Sequence, residues 1–203
     1  MEKVVNGPFH QNAYVVWNKT HSFIIDPGGN HSKIIDIIKS NNLSPSAILN
    51  THAHLDHIGA IAQLIEYGQY PFYLHQDELE LLENANEYTA MFGIPKINIP
   101  KVDKILKKSM VLDFSGYSVE VIETPGHTLG GVSYLLESHL FTGDTLFSGS
   151  IGRTDLPGGN LNFLLNSIHD KLMPLEDSTI VHSGHGPDTS IGVEKRTNPF
   201  LQS

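Results

Sequence analysis

The stretch LNTHAHLDHIGA, Leu49 to Ala60, holds three histidines and one aspartate within the six positions His52 to His57. A packed core gains little from imidazoles and carboxylates, because a buried polar group costs free energy unless it finds a partner. The flanks are nevertheless apolar and read as core elements. PSAILN (45–50) reads as a strand that runs into the cluster, and HIGAIAQLIEYG (57–68) as a helix that leaves it, with Ile58, Ile61 and Ile65 as its apolar stripe. Residues two apart at a strand end point the same way, so His52 and His54 can share one metal ion. Asp56 and His57 follow as the chain turns into the helix, and they face a neighbouring point. Imidazole nitrogens with a carboxylate oxygen suit zinc, iron or manganese.

One loop rarely closes a metal site, and three later segments offer more donors. ETPGHTLGG (123–131) places His127 after a Pro-Gly bend, and LFTGDTLF (140–147) places Asp144 just after an apolar strand. VHSGHGPD (181–188) places His185 between two glycines. Each is a ligand-capable residue at a strand end, beside glycine or proline that lets the backbone turn sharply. Their agreement with the first cluster reads as metal binding, against the alternative of histidines satisfied in a core.

The composition narrows the class. With 203 residues, 39% hydrophobic and 17% charged, the chain reads as one globular domain, 1–203. Twelve histidines are many for this length, while cysteine is absent, which excludes disulfides and thiolate ligands. The formal net charge of -9 argues against a nucleic-acid partner. The one lysine-dense stretch, PKVDKILKKS (100–109), reads as solvated surface. No apolar run spans a bilayer, and MEKVVNGPFH lacks the basic start and apolar core of a signal peptide. The expectation is a cytoplasmic protein that does not engage membranes.

Along the chain, EKVVN, AYVVW and SFIIDPGG read as strands and HSKIIDIIKSNN (31–42) as a helix capped by Asn30 or Ser32, with Ile34, Ile35 and Ile38 on one face. PFYLH reads as a strand, QDELELLENA as a helix, and 84–100 as a long excursion. VLDF, YSVEVIETPG with alternating Tyr117, Val119 and Val121, GVSYLLE and HLFTGD then read as hairpin strands. NLNFLLNSIHDKL (160–172) is helical, STIVHSGHG a strand entering a loop, and SIGVEKR a last short helix. Both halves run strands and then helices, which suggests two mixed sheets packed face to face with helices outside.

The ordered set His-x-His-x-Asp-His, TPGHT, FTGDT and SGHGP resembles the metallo-β-lactamase superfamily, and within it the glyoxalase II-related (hydroxyacylglutathione) hydrolases. The resemblance runs from IIDPGG (24–29) to EKRTNPFL (194–201). It implies an α/β fold, an αββα four-layer sandwich with the metals at one edge of the sheets. By matching position, His52, His54 and His127 would hold one metal, Asp56, His57 and His185 a second, and Asp144 would bridge them. Two divalent ions follow, zinc ahead of iron or manganese. His54 is not Glu, against the flavodiiron branch, and the lack of cysteine excludes the zinc β-lactamases with a Cys ligand. The helical extension with which glyoxalase II grips glutathione is expected to be missing. GSIGRTDLPGG (149–159) departs from the glyoxalase II version, and Gly131 stands where many relatives have His.

Two adjacent metals bring a bridging water towards a pKa of about 7, giving hydroxide for attack on a carbonyl. A thiolate leaves without much protonation, so the expected activity is hydrolysis of a small thioester of the hydroxyacylglutathione type. A mononuclear-iron persulfide dioxygenase and a lactonase are the alternatives on the same fold. No catalytic side chain beyond the ligands is singled out. Asp26 reads either as a brace for the metal loop or as a turn former before Pro27. Arg153 reads as an ion-pair partner of Asp155 or as a contact to an anionic substrate. His182 is a rival to His185 but falls in the strand pattern. His10, His21, His31, His75, His139 and His169 read as surface or cap residues, and Trp17 and the tyrosines as core.

Overall fold

The computed structural model of the chain describes every residue except Thr20, Lys108, Ser109, Ser115 and Ser203. The end of the lysine-dense stretch, Lys108 and Ser109, and the side chain of Tyr117 therefore lie outside the described residues. The chain divides into two compact units, Met1–Leu106 with Phe114–Gly116, and Lys107–Asp113 with Tyr117–Ser203.

The first unit is built on β1 (Glu2–Asn6), β2 (Gln11–Asn18), β3 (His21–Ile25), α1 (His31–Ser40), β4 (Ser44–Leu49), α2 (Leu55–Ile58), α3 (Ile61–Gly68), β5 (Phe72–His75), α4 (Leu79–Glu83), α5 (Thr89–Phe92) and β6 (Lys104–Leu106). Its sheet keeps the chain order β1-β2-β3-β4-β5-β6. The first three strands are antiparallel neighbours, and β3, β4, β5 and β6 pair in parallel. Helices connect the parallel strands, as such crossovers require. Parallel strands deliver their C-terminal ends to one edge, so the segments after β3, β4 and β5 emerge side by side. Those segments begin at Asp26, Asn50 and Gln76, and the histidine cluster belongs to the middle one.

The core of this unit comes from the apolar runs that patterning singled out. Ile34, Ile37 and Ile38 of α1 are buried with Ile24, Ile48, Ile61, Leu64 and Phe72, each such side chain contributing about 1.5–3 kcal/mol. Ile35 is only half-buried, so the buried face of α1 runs through Ile37. Asn30 does precede α1, but with φ 52° and no side-chain capping bond. The helix expected from His57 to Gly68 is two helices, because Ala60 N–H donates to Pro27 O at 2.9 Å and interrupts the ladder. The excursion 84–100 contains α5 and a turn of 3₁₀ helix at Ala85–Glu87, too short to show a period. Of the helix expected over 76–85, Leu79–Glu83 is α-helical, with a 3₁₀ turn at Gln76–Glu78 before it. Strand β6 carries the exposed Lys104 at the sheet edge, where a charge discourages further pairing.

The second unit contains β7 (Met110–Phe114, its last residue counted with the first unit), β8 (Tyr117–Glu123), β9 (Val132–Leu136), β10 (His139–Gly143), β11 (Leu146–Phe147), β12 (Ser150–Ile151), α6 (Leu161–Ser167), β13 (Ile180–Ser183), β14 (Thr189–Ser190) and α7 (Ile191–Thr197). Its sheet order is β14-β13-β10-β9-β8-β7, with β11 and β12 as a separate hairpin. Strand β9 is antiparallel to both β8 and β10, and β10 is parallel to β13. Strands β8, β10 and β13 thus run the same way, and the residues that follow them lead to His127, Asp144 and His185. Leu140, Leu164, Ile168, Leu172, Val181 and Ile191 form the core of this unit. The helix expected over 160–172 is α-helical to Ser167 and then widens to π geometry, with Met173 N–H donating to Ile168 O at 2.8 Å.

Tyr14 and Tyr134 are fully buried as expected, but Tyr67 is exposed, and its ring lies under Lys39 Nζ at 5.5 Å from the centroid. Trp17 is half-buried. Among the described residues no helix is long and apolar enough to cross a membrane.

Candidate metal centre

In the first unit, Asp26 organises the donors. It sits after β3 at φ 47°, a left-handed conformation that aspartate tolerates better than most residues. Its carboxylate accepts Thr51 N–H at 2.7 Å, Thr51 Oγ1–H at 2.6 Å and His57 Nδ1 at 3.0 Å. Asp26 therefore both turns the chain and braces the loop that carries the histidines. Thr51 Oγ1 also lies 3.0 Å from His52 Nδ1. The hydroxyl spends its proton on Asp26, so His52 Nδ1–H must be the donor to it. In both His52 and His57 the Nδ1 proton is thereby fixed, and Nε2 is the nitrogen that can offer its lone pair to a metal.

The rest of the loop is held as firmly. Asn50 Nδ2 donates to His52 O at 3.1 Å and to His57 O at 2.9 Å, tying the two ends of the cluster together. Ala53 N–H, between His52 and His54, donates to the buried Glu78 carboxylate at 2.8 Å. Gly28 passes so close that a Cβ there would stand 1.4 Å from Asp56 O. The ring centroids of His52 and His54 are 4.8 Å apart, those of His52 and His57 4.1 Å, and His57 Nε2 is 4.0 Å from Asp56 Oδ2. Donor atoms of Asp26, His52 and His57 all lie within 4.8 Å of one another. The structure thus brings His52, His54, Asp56 and His57 to one edge of this unit.

In the second unit, Asp144 Oδ2 stands 3.6 Å from His127 Nε2 and 3.6 Å from His185 Nε2. That is longer than a good hydrogen bond. Two donors each about 2.1 Å from a tetrahedral ion would be about 3.4 Å apart, so a carboxylate oxygen equidistant from two imidazoles fits a shared ligand. His127 Nδ1 is committed to Arg153 O at 2.7 Å, which again turns Nε2 to the donor face. Gly152 approaches so closely that a Cβ would stand 1.8 Å from Asp144 O. Ser183 Oγ–H donates to His185 O at 2.7 Å and closes the loop that carries this histidine. The donor set in both units is imidazole and carboxylate, which fits divalent zinc, iron or manganese.

The remaining histidines sort by their contacts. His182 is buried, 3.1 Å from Asp188 Oδ2 through Nδ1 and 2.9 Å from His139 Nδ1 through Nε2, and it stacks on Phe141. It is a packed, hydrogen-bonded residue, as its strand position suggested. His75 is buried and not at the surface; it caps the turn after β5 by accepting Asp77 N–H at 3.3 Å. His10, His21 and His169 are exposed. Arg153 pairs with Asp155 through two bonds of 2.7 and 2.6 Å, and this bonding holds the Asp155 carboxyl down to about 2. Asn50, Thr51, Glu78 and the Arg153 carbonyl were not singled out from sequence. They act through backbone atoms or loop neighbours, which leave no spacing signature.

This chain matches the metallo-beta-lactamase superfamily over residues 6–185. It belongs to that superfamily and has the metallo-β-lactamase fold, a mixed α/β arrangement with two sheets and helices. It is similar to the probable metallo-hydrolase YqgX of Bacillus subtilis, with 43% identity over 199 residues, 96% of this chain and 94% of the relative. Hydroxyacylglutathione hydrolase GloC of Haemophilus influenzae is 39% identical over 200 residues, again 96% of this chain and 94% of the relative. Among solved structures, BLEG-1 B3 metallo-beta-lactamase superposes with a TM-score of 0.95 at 43% identity, covering 100% of this chain and 99% of that one. TTHA1623 in a di-iron-bound form gives 0.90 at 40% identity, covering 99% of this chain and 100% of that one.

Proposed function

We propose that this protein is a metal-dependent hydrolase, related to glyoxalase II, that cleaves small thioesters of the hydroxyacylglutathione type. The observation that carries the reading is the 39% identity to hydroxyacylglutathione hydrolase GloC across 96% of the chain. We assign His52, His54 and His127 to one divalent ion and Asp56, His57 and His185 to a second, with Asp144 shared. The reading requires 1–203 to act as one domain in which donors from both units meet. Zinc is the first choice of metal, and the di-iron form of TTHA1623 supports both a pair of ions and iron as an alternative. The net charge of -9 supports a small-molecule substrate over a nucleic acid, and the cysteine-free sequence suits the cytoplasm.

Bound there, the ions would supply Lewis acidity, polarising the thioester carbonyl and lowering the pKa of water towards about 7. The chain's own contribution is preorganisation. Asp26 and Thr51 fix the tautomers of His57 and His52, and the Arg153 carbonyl fixes that of His127. The loops are pinned by Asn50, Glu78 and Ser183, so little rearrangement is needed when charge develops. A thiolate leaves unprotonated, since thiol pKa values lie near 8.5. No acid residue is then required, which agrees with a site made of ligands alone. A β-lactam nitrogen, by contrast, must gain a proton on departure.

The test is a substrate panel on metal-quantified protein: lactoylglutathione, a lactone, glutathione persulfide under an oxygen electrode, and a β-lactam. Thioester cleavage without oxygen uptake, with about two ions per chain, is the expected result. Oxygen uptake with the persulfide and about one iron per chain would replace the hydrolase by a dioxygenase. Preference for the β-lactam would move the activity to that of BLEG-1.

A further inference from the structure

We infer that Glu194, in the last helix, is a positioning residue for the metal ligands of the second unit. The inference rests on the assignment of His127, Asp144 and His185 as ligands. Glu194 is fully buried on α7, and three donors converge on its two carboxylate oxygens. Oε1 accepts Thr189 Oγ1–H at 2.6 Å, and Oε2 accepts Gly149 N–H at 2.9 Å and Asn198 Nδ2–H at 2.8 Å. Asn198, also buried, gives a second bond from the same Nδ2 to Ser150 O at 3.0 Å. Gly149 lies in the turn of the β11–β12 hairpin, and Ser150 opens β12. Helix α7 therefore grips the hairpin by its turn.

The hairpin and the two residues that follow it lead to all three ligands. It begins two residues after Asp144, and Thr142 Oγ1–H donates to Leu146 O at 2.9 Å where it starts. It ends at Ile151, next to Gly152, whose N–H donates to Thr145 O at 3.3 Å and where an added Cβ would stand 1.8 Å from Asp144 O. The next residue, Arg153, supplies the carbonyl that orients His127. Phe147 stands edge-on to His185, with ring centroids 6.2 Å apart. A shift of the hairpin turn would thus be felt at Asp144, at the His127 tautomer brace and at the wall of His185 together. A fully buried carboxylate is an expensive anchor for a short loop. Here it anchors a loop that leads to all three donors.

The experiment measures metal affinity by competition with a chromophoric chelator, the visible spectrum of the cobalt(II)-substituted protein, and thermal stability of the metal-free form. Glu194→Ala should weaken metal binding by roughly 10–100-fold, the range for residues that orient ligands, and should change the cobalt spectrum. Glu194→Gln should restore most of both: its oxygen can face Gly149 and Asn198 while its amide donates to Thr189 Oγ1, which can accept. If Glu194→Ala does not fold, Asn198→Ala reads the same grip, with a smaller loss in the same direction. Wild-type affinity and spectrum in a folded Glu194→Ala or Asn198→Ala protein, with only the melting temperature lowered, would overturn the inference. Failure of the underlying assignment looks different, because the wild type itself would then bind no metal, or Asp144→Ala would bind it as tightly as the wild type.

Discussion

Replacing Asp26 by Asn changes one atom of the carboxylate and should undo the metal site while leaving the fold. Asparagine tolerates the left-handed backbone at φ 47°, so no strain is added. Thr51 N–H can only donate, and it faces Oδ1 at 2.7 Å, so the amide oxygen of Asn must sit there. The amide nitrogen then takes the place of Oδ2, opposite Thr51 Oγ1 at 2.6 Å and His57 Nδ1 at 3.0 Å. Both partners must become acceptors. His57 accepts at Nδ1 only by moving its proton to Nε2. Thr51 Oγ1 must turn its proton towards His52, which moves the His52 proton to Nε2 as well. One substitution therefore blocks the coordinating nitrogen of two histidines assigned to different ions.

The fold should lose roughly 1–3 kcal/mol, because three bonds to a carboxylate become three neutral bonds. Metal affinity should fall by roughly 10–100-fold at both sites. Chemical denaturation of the metal-free protein gives the first quantity, and titration with zinc against a chelator gives the second. Metal affinity equal to the wild type would refute the tautomer argument. So would a loss at one ion only, since the proton chain runs through both histidines.

Other substitutions probe the neighbouring contacts. Gly152→Ala should displace Asp144, because the added carbon would stand 1.8 Å from its carbonyl oxygen; metal content per chain reads the result. Ile48→Ala in the buried centre of β4 should cost about 2–5 kcal/mol in denaturant unfolding. The Asp155 carboxyl, held down to about 2 by Arg153, is lowered from its unfolded value, so its stabilising effect is present above that value and is lost as pH falls towards 2. Carbon-detected NMR should find a midpoint near 2 for Asp155, moving up towards the ordinary range in Arg153→Gln. The pair is exposed, so the effect on global stability should be small.

How far the sequence carried the structure follows from the kind of signal each element leaves. Parallel strands such as β4 and β5 are buried apolar runs ended by turn residues, and they were legible. So was the placement of His52, His127, Asp144 and His185 after strand ends, because ligand-capable side chains beside Gly or Pro stand out against apolar strands. The break between α2 and α3 was not legible, since it depends on Ala60 N–H reaching Pro27, far away in sequence. Two-residue strands such as β11, β12 and β14 are too short for alternation to register. The bracing residues were the least visible. Asn50 acts through its amide on two carbonyls, Arg153 acts through its own carbonyl, and the grip of Glu194 on Gly149 spans 45 positions.

Anomalous diffraction at the metal absorption edge, from crystals of the purified protein, tests the two-ion assignment itself. Two peaks about 3.5–4 Å apart are expected, one against His52, His54 and His127, the other against Asp56, His57 and His185, with Asp144 touching both. Peaks absent from an active sample, or held by other side chains, would contradict the assignment.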